Sequence, residues 1–169
     1  MAVIRAELEQ RAGAFADRHS LQFVSELGFG VHGIVWAAAR KGQESDIADR
    51  AIKVHEQLPA YEMERDVYFR LSEYEIDSMQ GLSIPTLIRF DDDLLILEIE
   101  IVRPPYLLDF AGCHLDFPPD YSPEIMEAWE AEKREQFGPR WREVQSVLRE
   151  LESYRIFLSD VTPNNLKFE

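Results

Sequence analysis

The chain has 169 residues, which fits one domain or two small lobes sharing an interface, and its 46% hydrophobic content is enough for a real core. Its 32 acidic against 18 basic residues give a formal net charge of −14, a field that repels nucleic acid and anionic membranes and argues against both as partners. One cysteine, Cys113, leaves no intrachain disulfide, and a sequence that reads without a signal peptide or a long apolar run points to a cytoplasmic location.

Apolar residues at Ile4, Leu8, Ala12 and Phe15 recur at helical spacing through an otherwise charged segment, so Val3 to Arg18 is predicted to be an amphipathic packing helix. A strand is expected from Leu21 to Leu27. It leads into Gly28-Phe29-Gly30-Val31-His32-Gly33-Ile34-Val35-Trp36. Glycines at relative positions one, three and six allow backbone amides to approach phosphates closely. In a dinucleotide-binding fold the same pattern opens a helix. Here the strand-like Ile34-Val35-Trp36 follows, which predicts a strand-loop-strand lid; a glycine-rich hairpin with no ligand satisfies the same residues.

Beyond a polar loop at Lys41 to Asp49, Arg50 to His55 reads as a short strand with Lys53 at its middle. Lysine is depleted in strands, and this one faces away from both Ile52 and Val54. Leu58 to Tyr74 follows with a helical stripe at Met63, Val67, Leu71 and Tyr74, opened by Pro59. Glu64 lies seven positions before Leu71, on the same face, within reach of Lys53 if that face points inward; Glu62 is its rival. Ile84 to Phe90 and Leu94 to Val102 read as a hairpin about Asp91-Asp92-Asp93, stopped by Pro104-Pro105. There a lobe boundary is expected. The free backbone groups of Glu100 and Val102 offer an edge to an adenine-like base.

Tyr106 to Pro119 is expected to be irregular. Ser122-Pro123-Glu124 reads as N-cap, first helical residue and acidic first turn of a helix to about Phe137. Gly138-Pro139 breaks it, and a second helix with Trp141, Val144, Val147, Leu148 and Leu151 inward runs to about Tyr154. Two β-prone runs then flank the loop that begins at Asp160, with Pro163 stiffening the chain to Asn165. An acid followed five positions later by an amide suits phosphoryl transfer, the acid taking a hydroxyl proton and the amide oxygen holding a metal; a plain turn uses the same residues.

In this order the pieces resemble the protein-kinase-like superfamily, and within it short bacterial kinase-like proteins. Gly28, Gly30, Gly33 and Val35 match the glycine-rich loop, Ala51-Ile52-Lys53 the strand lysine, Glu64 the helix glutamate, and Asp160, Pro163 and Asn165 the catalytic loop. The resemblance implies an α+β fold: a lobe over 21–103 with a five-stranded antiparallel sheet and one helix, preceded by a helix over 1–20 and followed by a reduced helical lobe over 104–169. It implies ATP and magnesium as cofactors. Gly28, Gly30, Gly33, Val35, Lys53, Glu100 and Val102 would bind nucleotide, Glu64 would orient Lys53, Asp160 would act as base, and Asn165 would ligate the metal.

The departures are specific. Leu158-Ser159 replaces the His-Arg that precedes the catalytic Asp, Thr162 replaces a phosphate-contacting lysine, and the chain ends at Glu169, before an Asp-Phe-Gly segment in its usual place. Asp109-Phe110-Ala111-Gly112 precedes the loop and reads as a displaced Asp-Phe-Gly, a linker turn or a ribose contact. Glu98, Glu100, Asp116 and Glu169 are further oxygen donors for a metal. Two functions are therefore expected: an ATP-dependent phosphotransferase of minimal type, or a non-catalytic pseudokinase that binds nucleotide or a basic protein partner. An unrelated α+β domain with ordinary turns is the third reading. A homo-oligomer is also expected if apolar surface is left open.

Overall fold

The computed structural model describes residues 2–42 and 47–169, so the predicted polar loop at Lys41 to Asp49 lies partly outside the described residues. The architecture is α+β. A five-stranded antiparallel sheet has the spatial order β1-β2-β3-β7-β6, formed by β1 (Leu21–Gly30), β2 (Gly33–Arg40), β3 (Arg50–His55), β6 (Leu87–Asp91) and β7 (Ile96–Glu100). Helix α1 (Ala2–Arg18) packs on one face and α2 (Leu58–Glu73) on the other. Strands β4 (Ser78–Met79) and β5 (Leu82–Ser83) make a small ribbon after α2.

Coverage of both faces explains β3, whose six residues are all buried. Ile52 and Val54 face α1 and pack with its Leu8, Ala12 and Phe15, while Ala51 joins the core on the α2 side. Lys53 shares the Ala51 side because strand side chains alternate. Full burial of Leu8 and Phe15 contributes roughly 1.5–3 kcal/mol each. Ile4, expected on the same stripe, is 37% exposed at the rim. Arg11 ties α1 to the sheet by donating to the Leu94 and His55 carbonyls at 3.0 and 2.8 Å. The β6–β7 turn is set by Asp91, whose Oδ1 accepts from the amides of Asp93 (3.1 Å) and Leu94 (3.0 Å).

The segment expected to be irregular contains two short strands, β8 (Tyr106–Leu107) and β9 (Cys113–Leu115). Both pair with the far end of the chain, β8 with β11 (Leu166–Lys167) and β9 with β10 (Ile156–Leu158), each antiparallel. Between them, α3 (Pro123–Phe137) starts at Ser122, whose hydroxyl accepts from the Ile125 amide at 3.4 Å, and ends before a 3-10 turn at Gly138–Arg140. Helix α4 (Trp141–Ser153) then buries Trp141, Val144, Val147 and Leu151. These join Tyr61, Val67, Tyr68 and Leu71 of α2 in one core with Leu107, Phe110 and Ile156, which runs continuously from the sheet to α4. Among the described residues no helix is long and apolar enough to cross a membrane.

Gly33 has φ of +137°, and a Cβ there would lie 1.9 Å from the Val54 carbonyl oxygen. Its glycine is required by the β2–β3 pairing. Gly28 and Gly30 meet nothing within 4 Å. Gly33→Ala is therefore expected to lose more than about 2 kcal/mol in urea unfolding, combining backbone strain with steric overlap. Gly30→Ala is expected to stay within about 1 kcal/mol of wild type.

Candidate functional site

A cleft of about 900 Å³ opens between the β1–β2 loop and the segments holding Asp109 and Asp160. Its roof is Gly28, Gly30 and Gly33, with Val35, Ala51 and Lys53 inside. Glu100, Ile101 and Val102 line one edge. Asp109, Asp160, Thr162 and Asn165 line the opposite wall. The residues matched to the glycine-rich loop, the strand lysine, the helix glutamate, the adenine edge and the catalytic loop (Gly28, Gly30, Gly33, Val35, Lys53, Glu64, Glu100, Val102, Asp160 and Asn165) thus border one cavity.

At its base lies a buried charge cluster. Lys53 Nζ is 2.7 Å from Glu64 Oε2 and 2.8 Å from Asp109 Oδ1. Glu64, on α2, is 1% exposed, whereas the rival Glu62 is exposed. The same Glu64 oxygen is 2.6 Å from His55 Nε2. His55 was missed in the sequence reading, although it stands two positions after Lys53 and so on the same strand face. Burial disfavours the Lys53 ammonium, but the charges of Glu64 and Asp109 outweigh it and raise its pKa above the usual lysine value. Burial also works against the Glu64 carboxylate, yet Lys53 and the His55 hydrogen bond pull its pKa down to about 2.

Asp109 is held from three sides. Its backbone is left-handed, with φ of 63°, a conformation Asp tolerates better than most side chains. Leu108, just before it, donates its amide to the Asn165 carbonyl at 2.7 Å. Phe110, just after it, is fully buried edge-to-face against Tyr68 of α2, with ring centroids 5.4 Å apart. The Asp109 loop also lies against the Asp160 loop. Ser159 Oγ donates to the Gly112 carbonyl at 2.6 Å, and a Cβ at Gly112 would fall 2.9 Å from Asp160 Cβ, so glycine permits the approach. On the other side, Trp129 Nε1 donates to the Ser159 carbonyl at 3.3 Å.

The Asn165 amide donates to the Asp160 carbonyl at 3.4 Å, which leaves its side-chain oxygen as an acceptor. Among the described residues no group of three His, Cys, Asp or Glu side chains is arranged to hold a metal ion. Asp109 and Asn165, on adjoining backbone, supply two hard oxygen donors. That is too few for a stand-alone metal site, but it fits magnesium, which usually takes one or two protein ligands and completes its shell with water and phosphate oxygens.

The other proposed metal donors lie elsewhere. Glu98 is buried on the α1 side of the sheet, held by Arg50 at 2.5 Å and Arg89 at 3.1 Å. Asp116 pairs with Arg70 at 3.0 Å, and Glu169 with Arg140. Strand alternation and surface pairing put them outside the cleft; Glu100 alone of that group lines it. Lys167 also lines it, a residue the motifs did not single out. The lining thus carries four carboxylates (Glu64, Glu100, Asp109, Asp160) against two lysines (Lys53, Lys167). A bare polyphosphate would be repelled, and a divalent cation bound to it would reduce that repulsion.

Comparison of the chain with protein-family models, with curated proteins and with solved structures gave no match in any of the three.

The low Glu64 pKa carries a stability consequence. A carboxylate whose pKa is lowered by folding stabilises above its unfolded value, and the contribution fades as pH falls toward the folded one. Glu64→Gln removes one partner of a buried ion pair and is expected to lose about 3–5 kcal/mol at pH 7 in urea unfolding. Because folding lowers the Glu64 pKa, its deficit against wild type should shrink as pH falls from about 4.5 to about 2.

Proposed function

We propose that the chain is an ATP-dependent phosphotransferase of minimal protein-kinase-like type. The observation that carries the reading is the position of Lys53 Nζ, 2.7 Å from Glu64 and 2.8 Å from Asp109, in a cleft roofed by the glycine loop and walled by Asp160 and Asn165. A structural role alone does not require charge here, since buried ion pairs are commonly no more stabilising than apolar residues of the same shape.

Bound magnesium–ATP would supply the phosphoryl group to be transferred. Gly28 and Gly30, with open space where a Cβ would stand, let backbone amides come close to phosphates. Lys53, kept charged by Glu64, would neutralise phosphate oxygens, and Lys167 would add a second positive charge from β11. The displaced Asp109-Phe110-Ala111-Gly112 segment is assigned the role of metal-holding acid, with Asp109 and Asn165 as the two protein ligands. This revises the expectation of Asn165 alone. Among the described residues no hydrogen bond or ion pair engages the Asp160 carboxylate, so it is free to take the proton of an acceptor hydroxyl.

The non-catalytic reading has its own support, because Asp109 already occupies Lys53 in this state and would have to share it with phosphates. Thermal unfolding and ATP turnover separate the two. With ligand at ~100 times its dissociation constant, a gain of about 2.7 kcal/mol is expected, seen as a rise of several degrees that requires magnesium. Lys53→Ala should abolish the shift. Asp160→Asn should keep it but lower turnover by at least about a hundredfold. A magnesium-dependent shift with no turnover in wild type would identify the non-catalytic module. No shift under any condition would overturn both nucleotide readings.

A further inference from the structure

Helix α3 is only half used by the fold. Its inward stripe begins at Trp129, which meets Trp141 of α4 at a ring-centroid distance of 6.2 Å, and continues through the buried Lys133 and Phe137. One turn earlier the same stripe runs into solvent. Ile125, four positions before Trp129, is 54% exposed, and Met126, three before it, is 42% exposed. The loop leading into the helix adds Phe117 at 75% and Tyr121 at 45%. Contiguous exposed apolar side chains of this kind mark a contact surface more often than scattered single ones do.

Every charged residue from 116 to 127 is acidic. Asp120, Glu124 and Glu127 are exposed on or just before the same helical turns, while Asp116 is taken by Arg70. The next cations along the chain, Lys133 and Arg134, lie in the second half of the helix and pair with Glu132 and Glu130 respectively. Apolar anchors in an acidic rim call for a partner with the opposite rim: a basic protein segment that inserts one or two large apolar side chains. A second copy of this chain, itself at −14, meets the rim with like charge.

We propose that the N-terminal half of α3, with the loop that enters it, is a docking surface for a basic amphipathic protein segment. This inference does not depend on nucleotide chemistry. Its place in the molecule is nevertheless informative, because Trp129, at the inner end of the stripe, hydrogen-bonds the carbonyl of Ser159, the residue before Asp160. A segment seated on Ile125 and Met126 is therefore held beside the Asp160 loop.

The test uses the full chain and two fluorescent 18-residue peptides of equal charge, one of leucine and lysine in helical register, the other with serine in place of leucine. The leucine–lysine peptide is expected to bind, with amide chemical-shift changes concentrated in 117–129, and the serine–lysine peptide to bind at least about tenfold more weakly. Ile125→Ser/Met126→Ser should weaken the leucine–lysine peptide by at least about tenfold, and Glu124→Lys/Glu127→Lys should do the same through charge. Ile125 and Met126 are exposed, so the first variant should melt as wild type does; the second gives up the acidic first turn at Glu124, a small cost that leaves the chain folded, and keeps the test decisive if the first does not fold. Absence of binding, equal binding of the two peptides, or wild-type binding by the folded variants would overturn the proposal. So would a dimer in sedimentation that Ile125→Ser/Met126→Ser dissociates, which would assign the stripe to a second copy.

Discussion

A lysine ammonium held at 7% exposure has to be surrounded by negative charge, and the arrangement of this chain follows from meeting that requirement at Lys53. One carboxylate comes from the middle of α2, which fixes how that helix lies across the sheet. The other comes from Asp109, which draws the segment after the sheet back underneath it. Neither carboxylate is passive: Glu64 also holds His55, and Asp109 sits between Leu108, tied to Asn165, and the buried Phe110. The two layers of the molecule are joined at their centre by charge and around it by the apolar core from α2 to α4.

The sheet divides its faces accordingly. Toward α1 it is closed by Leu8, Ala12 and Phe15, with Arg50 and Arg89 on Glu98 and Asp49 on Arg50 completing an ionic group there. Toward α2 it stays partly open, and the polar groups there converge on a space large enough for a ligand. A chain with 32 acidic residues has placed four of them around that space together with two lysines. Such a balance leaves the space with a net negative charge.

Much of this was legible in the residues. The alternation of β3 put Lys53 opposite Ile52 and Val54, the period of α2 put Glu64 with Leu71, and Ser122-Pro123 fixed the start of α3. These are local signals, in which a period of 2 or 3.6 and one capping residue suffice. What escaped was non-local. Strands β8 and β11 have two residues each and β9 and β10 three, too few to carry a period. Nothing in Tyr106-Leu107 says that its partner lies some sixty positions later. Asp109 was therefore one of several open readings until the β8–β11 pairing brought it to Lys53. The same limit let Glu98, Asp116 and Glu169 stand as candidates: a carboxylate in a sequence does not reveal which arginine will claim it. Gly33 was legible as a glycine but for the wrong cause, since its crowding comes from the Val54 carbonyl on the next strand.

The pairing of β8 with β11 also sets an order of events. Backbone support for Asp109 comes from Asn165, and the strand beside β8 comes from Leu166-Lys167. The five strands of the sheet and α1 find one another within residues 2–100, whereas α2 and the Asp109 segment also rest on β9, α4, β10 and β11. During synthesis the glycine loop, Lys53 and Glu64 are thus made well before Asp109 gains its support from Asn165, and long-range pairing of this kind is slow to form. A ribosome-bound chain holding everything up to α4 would carry the strands of the sheet without the β10 and β11 pairings that hold the Asp109 segment beside Lys53.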